Sequence, residues 1–303
     1  MRKYLLILIY IAGLHDLLVA QQMSMVSLFS QNQTYYNPGA TGNLEVLTAN
    51  FFYRQNWVGY TGAPSTQVFS VHAPMKNPAV AMGIMLEHEM LGAASSTGFY
   101  LNYAYRLSLG ANRLAFGLKA GISNFSQTLN QRDDQYDPAL DEDNYRFTIP
   151  NFGFGILFTG NKYWVGLSAP RIFGFETKTS GKYGMYFDMN RLECYASAGG
   201  MLTISSDFAV EPSVLFGYTK VFQPRIAVNA LAVYKRSYKA GLGYRVGEAL
   251  IILLGYNLNR QFSLGYSYDM NIGELSKNTS GSHEINVQYK FGYRVNASNP
   301  RDF

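Results

Sequence analysis

The sequence predicts an all-β chain, a transmembrane antiparallel β-barrel of about 14 strands with a short N-terminal periplasmic or plug segment. Three observations predict it. Apolar residues alternate with small or polar ones over segments of about ten residues, the length a tilted strand needs to cross a bilayer. Short connections alternate with longer ones, as periplasmic turns alternate with external loops in such barrels. The chain opens on a segment, residues 1–20, that reads as an export signal.

Composition agrees with this class. The chain of 303 residues is 48% hydrophobic and 15% charged, with 24 Tyr, 20 Phe and 29 Gly. Soluble domains carry about a quarter charged residues. A charge-poor, aromatic-rich chain suits a barrel with aromatic girdles at both membrane interfaces. No proline-rich linker or charge run divides the middle, so the mature chain reads as one domain. The formal charge of +5 comes from basic residues scattered singly among aromatics, which does not point to nucleic acid. Cys194 is the only cysteine, so there is no internal disulfide and no cysteine metal site. Its phase, with Leu192 and Ala196, makes it a buried or lipid-facing thiol.

Taken in order, Arg2 and Lys3 precede an apolar run from Tyr4 to Leu14, and Leu18-Val19-Ala20 precede Gln21. This predicts a signal peptide over 1–20, cleaved after Ala20. Gln rather than Cys at position 21 disfavours a lipid anchor. Residues 21–43 are polar and aromatic and form the periplasmic or plug segment. The barrel runs over 44–294, and residues 295–303 form a tail, with both ends of the mature chain in the periplasm of a Gram-negative outer membrane. After the signal, the densest apolar run is Ala249 to Leu254, well short of the roughly 18 residues of a membrane helix. Strands closed into a barrel are then the remaining way to satisfy every backbone group in lipid.

Strands are expected to start near residues 44, 65, 79, 96, 112, 149, 161, 192, 207, 225, 236, 249, 260 and 283. Phe99, Leu101, Tyr103, Tyr105 and Leu107 share one face, opposite Tyr100, Asn102, Ala104 and Arg106. Leu114, Phe116, Leu118, Ala120 and Ile122 alternate with Arg113, Ala115, Gly117, Lys119 and Gly121, and Ile285 to Tyr293 repeat the pattern. A soluble sandwich would also alternate, but with a charged outer face instead of a small, glycine-rich one. Connections around 75–78, 108–111, 160, 205–206, 235 and 259 are short. Those at 55–64, 88–95, 125–148, 170–191, 219–224 and 270–282 are longer, and 247–248 is the exception.

The lumen phase carries Arg106, Lys119, Glu211, Glu284, Lys290 and Arg294, together with apolar Leu231, Ile251 and Leu253. Apolar inward residues point to packing against a plug, for which Gln21 to Asn43 is one candidate. In the acidic run Asp133 to Asp143, the carboxylates Asp133, Asp137, Asp141 and Asp143 form a weak calcium candidate without the glycine and spacing of an EF-hand loop. Glu87, His88 and Glu89 alternate faces and do not converge as ligands without a bulge. His72, His88 and His283 are far apart and belong to no Ser/His/acid arrangement. Neither catalysis nor a cofactor is expected.

The stretch from Arg54 to Pro74 begins with Arg54, Gln55, Trp57, Gly59, Tyr60 and Pro64. Trp57 beside Tyr60 is either a membrane-interface anchor or an anchor for a protein partner. Asn37-Pro38-Gly39 is a turn. As a sequence, FSQ…YNPGATG followed by YRQNWVGYTGAPSTQVFSVHAP closely resembles the PorP/SprF family of the type IX secretion system. Tyr103 to Arg106, the Leu114 to Gly121 strand and the Ser282 to Gly292 end are similar too, so the resemblance covers essentially the whole mature chain. Gly39-Ala40-Thr41 stands where other members often have Ala-Tyr-Ala. The resemblance implies an outer-membrane barrel embedded in lipid that supports export or surface attachment of cargo bearing a C-terminal secretion domain. It also implies periplasmic partners from the same machinery and, in relatives, gliding. It marks Asn37, Pro38, Gly39, Arg54, Gln55, Trp57, Gly59, Tyr60 and Pro64 as the family motif and a possible docking surface. A passive, porin-like channel for small solutes is the rival reading.

Overall fold

Period-two alternation becomes two faces of one wall. The computed structural model describes residues 24–128, 144–177, 183–186, 192–220, 223–272, 274–277 and 279–292. Fourteen strands form a closed antiparallel barrel. They are β1 (Leu47–Gln55), β2 (Ser65–Pro74), β3 (Val80–Leu91), β4 (Ala94–Leu109), β5 (Asn112–Thr128), β6 (Asn144–Thr159) and β7 (Tyr163–Ala169). There follow β8 (Cys194–Gly200), β9 (Phe208–Tyr218), β10 (Arg225–Tyr234), β11 (Tyr238–Arg245), β12 (Ala249–Asn257), β13 (Phe262–Asn271) and β14 (Ser282–Phe291).

Each strand pairs with its neighbours in sequence, and β1 closes on β14 with Leu47 opposite Phe291 and Gln55 opposite His283. Closure leaves the wall no open edge, which a sheet in lipid cannot tolerate. Leu202–Thr203 continue β8 in the same register against β9, and the interruption faces Pro212, which has no N–H to give the ladder. A separate hairpin, Gly174–Thr177 with Tyr183–Tyr186, lies in the β7–β8 connection.

Outward positions are apolar: Leu118 and Leu167 are each 60% exposed, whereas inward Lys119 is 2% exposed. Aromatic pairs ring the wall towards its ends. Phe158–Tyr163 and Tyr238–Tyr256 lie near the short turns, and Phe216–Tyr218 lies towards the long loops. Cys194 is exposed on the outer face.

Thirteen strands start within about three residues of the expected positions, and β6 starts five earlier, at Asn144 rather than 149. The expected long connection at 88–95 is a two-residue turn, Gly92-Ala93, because β3 and β4 run on to Leu91 and from Ala94. Gly92 takes the left-handed conformation that such a turn requires, with φ of 58°. Both differences share a cause. Beyond the lipid, Ser95, Ser96 and Thr97 on β4 and Ser123, Asn124 and Thr148 on β5 and β6 are polar, so pairing continues where apolar alternation has stopped. β5 has 17 residues, more than the roughly 9–11 that span a bilayer. The signal segment 1–20, the acidic positions Asp133, Asp137, Asp141 and Asp143, Arg294 and the tail 295–303 lie outside the described residues.

Residues 24–43 occupy the lumen, with a short helix α1 (Gln33–Tyr36) and a 3-10 turn at Pro38–Ala40. Met25, Val26, Leu28, Phe29, Tyr35, Tyr36 and Ala40 are buried. Ser24 lies beside Asn56 at the long-loop end, while the carbonyl of Gly42 accepts a 2.6 Å bond from Arg106 near the short turns. The segment runs through the lumen, so Ser24 and Gly292 lie at opposite ends of the barrel, and the two ends of the mature chain lie outside the described residues.

Candidate functional site: a tethered lumen segment and a braced loop

Asn37-Pro38-Gly39 sits on a bed of inward glycines. A Cβ at Gly117 would lie 2.1 Å from the Gly39 nitrogen, and one at Gly155 would lie 2.1 Å from Asn37 Oδ1. Only a wall without side chains lets the turn approach so closely. Asn37 uses both ends of its amide. Its Oδ1 accepts from the Gly39 N–H at 2.8 Å, and its Nδ2 donates to the Ile156 carbonyl of β6 at 2.9 Å.

Near the other mouth the segment is held by charge. Asp269 accepts from Arg54 at 2.6 Å and lies 3.1 Å from Arg245, and Glu284 accepts from Arg54 at 3.1 Å. Two cations and two carboxylates therefore balance in a dry pocket, a condition for keeping them charged. Ser27 sits at their centre. Its hydroxyl donates to Asp269 at 2.8 Å and accepts from Arg245 at 2.8 Å, and its N–H donates to Glu284 at 2.8 Å. Asn229 donates to the Ser27 carbonyl at 2.8 Å and Arg54 donates to its hydroxyl at 3.1 Å, so five strands grip one residue's backbone and side chain.

Between these tethers the contact is apolar. Leu28 packs with Leu231, Ile251 and Leu253, the inward apolar residues that the sequence associates with a plug. Tyr35 and Tyr36 pack among Phe52, Met85, Tyr100 and Tyr195. The Tyr36 hydroxyl accepts from the Val26 N–H at 2.6 Å and donates to the Ser24 carbonyl at 3.1 Å, folding the segment back on itself. Burial raises the Tyr36 phenol well above its ordinary range, which keeps it neutral. Arg171 reaches in from the β7–β8 connection to pair with Glu87 and, at 3.2 Å, with Glu89.

At the long-loop mouth, residues 56–64 form a braced loop. The Val58 N–H donates to the Gly281 carbonyl at 2.8 Å, the Ser280 N–H donates to the Val58 carbonyl at 2.7 Å, and the Gly92 N–H donates to the Gly62 carbonyl at 2.9 Å. Gly59 and Gly62 have φ of 91° and 77°. Trp57 is half-buried, holds φ at 46°, and donates its N–H to Ser282 Oγ at 3.1 Å. Tyr60 is 53% exposed.

The structure thus divides the motif residues into two groups. Trp57, Gly59, Tyr60 and Pro64 belong to the loop, and Gln55 props it by donating to the Asn56 carbonyl at 3.2 Å. Asn37, Pro38, Gly39 and Arg54 are buried in the lumen. Ser27, Arg245 and Asp269 are site residues that the sequence reading did not single out. For Arg245 and Asp269 the available signal was charge on the inward phase near strand ends, whereas Ser27 lies in an irregular segment that carries no period. Among the described residues, no group of three His, Cys, Asp or Glu is placed to hold a metal.

Comparison with solved structures finds outer-membrane barrels. The chain is similar to the Ralstonia pickettii toluene transporter TbuX, with a TM-score of 0.50 and 8% identity over 90% of this chain and 96% of that one. It is also similar to a Pseudomonas aeruginosa FadL homologue, with a TM-score of 0.48 and 10% identity over 84% and 93% of the two chains. Acinetobacter baumannii Omp33 gives a TM-score of 0.45 and 10% identity over 82% and 99%. At these identities the likeness concerns the fold alone. Comparison with curated proteins finds no match. The model of one family, the type IX secretion system membrane protein PorP/SprF, matches residues 18–289, which takes in the glycine bed, the charged clasp and the braced loop together. The chain belongs to the PorP/SprF family of type IX secretion system membrane proteins.

Proposed function

We propose that this outer-membrane barrel is a docking component that supports export or surface attachment of cargo bearing a C-terminal secretion domain. In this reading the long-loop end faces outward, the short turns face the periplasm and its machinery, and residues 1–20 are removed as a signal. The observation that carries the reading is the braced loop 56–64. A bulky residue at positive φ costs about 1–3 kcal/mol of local strain and persists only where its surroundings impose it. Here hydrogen bonds to Gly281, Ser280 and Gly92 impose it, and they present Tyr60 to solvent. Exposed aromatics on a rigid support are the residues that concentrate energy at protein interfaces. The tethers of the segment beneath, through Arg54, keep the support stiff.

The test is Trp57→Ala with Tyr60→Ala, measuring surface cargo and small-solute permeability in the same strain. Loss of cargo display with a folded barrel and unchanged permeability is the expected result. Normal display with altered permeability would favour the second reading, a passive channel, for which the polar cavity near the short turns speaks.

A further inference from the structure

The outer wall beneath the braced loop carries a polar flank that neither reading uses. Gln67 stands seven residues from Pro74, the short-turn end of β2, and Gln55, His88 and His283 stand eight from Leu47, Val80 and Phe291. All four are half-buried and lie on the outward phase of β1, β2, β3 and β14. Eight residues along the strands on either side, the outward residues are apolar: Leu101 on β4 is 52% exposed and Met270 on β13 is 45% exposed. The polar row is therefore local to four strands and does not mark the level at which the whole barrel leaves the lipid. One step towards the short turns, Phe51, Phe69 and Leu86 stand side by side in register, all exposed. The wall uses only part of the polar row. Tyr266 Oη and His283 Nδ1 share a 2.7 Å hydrogen bond, and Thr97 Oγ1 and His88 Nδ1 share one of 2.8 Å, which leaves Nε2 of each ring open. Gln55 is engaged by Tyr53 and the Asn56 carbonyl, whereas Gln67 has no hydrogen-bond partner among the described residues. None of the outward residues of these four strands is Lys, Arg, Asp or Glu.

Open amide and imidazole groups facing hydrocarbon cost free energy unless something polar completes them. The profile of the flank, one polar row directly over an apolar one, is that of an amphiphile with its head towards the long loops. A phosphate head calls for Arg or Lys, and this flank offers neither. Sugar hydroxyls both donate and accept, as the amide of Gln67 does and as each imidazole Nε2 does in one tautomer or the other. We propose that this flank binds a membrane glycolipid, its sugar hydroxyls on Gln67, His88 and His283 and an acyl chain along Phe51, Phe69 and Leu86. The site lies on the outside of the wall and does not depend on what docks on the braced loop.

The test uses the purified full chain in a polyoxyethylene detergent, which carries no sugar. It is mixed with equal amounts of a glucosyl diacylglycerol and a phosphatidylglycerol of the same acyl chains, and retained lipid is read by native mass spectrometry. The glucosyl lipid should be retained at least about fivefold over the phospholipid, as one or two added hydrogen bonds allow. The double variant Gln67→Leu, His88→Leu should bring the two lipids within about twofold, whereas Leu101→Ala on the neighbouring strand should keep the preference. Leu at an outward position suits lipid, and barrel folding is checked by heat-modifiable migration. A competition on the unaltered chain stands if the double variant misfolds: octyl glucoside should displace the glucosyl lipid at lower concentration than octyl phosphate does. Equal retention, a preference for the phospholipid, a preference that survives the double variant, or a dimer of the chain that the double variant dissolves would overturn the proposal.

Discussion

At the residue scale, the lumen is governed by what small or charged side chains permit. Gly155→Val would place new atoms where Asn37 Oδ1 lies. Overpacking of this kind should cost about 1–3 kcal/mol, read as a lower urea midpoint. Asn37→Ala in the same chain should recover part of the loss, because the clashing oxygen is gone. Arg54→Ala leaves Asp269 and Glu284 facing each other across one remaining cation, Arg245. Stranding a buried charge typically costs about 3–5 kcal/mol, so this variant should unfold far more readily than Arg54→Lys. Leu118→Arg on the lipid face should cost about 2–4 kcal/mol near mid-bilayer. At neighbouring Gly117 the limit is space against Pro38, and even Ala there should destabilise.

At the scale of elements, the lumen segment and the loop are separable. Removing residues 24–43 takes away the apolar partners of Leu231, Ile251 and Leu253 but leaves the four clasp charges balanced. A barrel lacking the segment should therefore still insert, with lower thermal stability and larger single-channel conductance in planar bilayers. Unchanged conductance would show that the segment does not set the pore. In the loop, Trp57→Gly relieves the positive φ while deleting the ring. It should keep the barrel folded and match the effect of Trp57→Ala on cargo display, which separates the role of the ring from that of the strain. The sequence marked Asn37 to Gly39 and Arg54 together with Trp57 as one motif. Spacing along a chain does not tell that the first four lie inside and the last outside, because a bend in an irregular segment carries no period.

For the whole molecule, the hydrophobic pattern sets the architecture and the lumen sets the individuality. Strand positions were legible wherever lipid lay on one side, as in β4 and β5, because lipid imposes an apolar residue at every second position. They were misread at the ends of β3 and β6, where the sheet leaves the bilayer and water accepts polar residues on both faces. In the proposed orientation the short turns face the periplasm. Protease added to intact cells should cut the connection around 170–191 and spare the turn at Gly160, and the opposite result would reverse the orientation. Intact-mass measurement of the extracted protein should find Gln21 first.

By itself, the sequence determined an all-β membrane barrel, its strand number, which face of each strand meets lipid, and its family. Each follows from local period or from a linear motif. Tertiary structure alone decided that Ser27 meets Glu284, 257 residues away, that Asn37 rests against Gly155, and that Arg171 enters the lumen to reach Glu87. The physical reason is geometric. An inward side chain is specified by its own strand, but its partner is specified by closure of the barrel, which brings strands from both ends of the chain around a segment that has no repeating pattern.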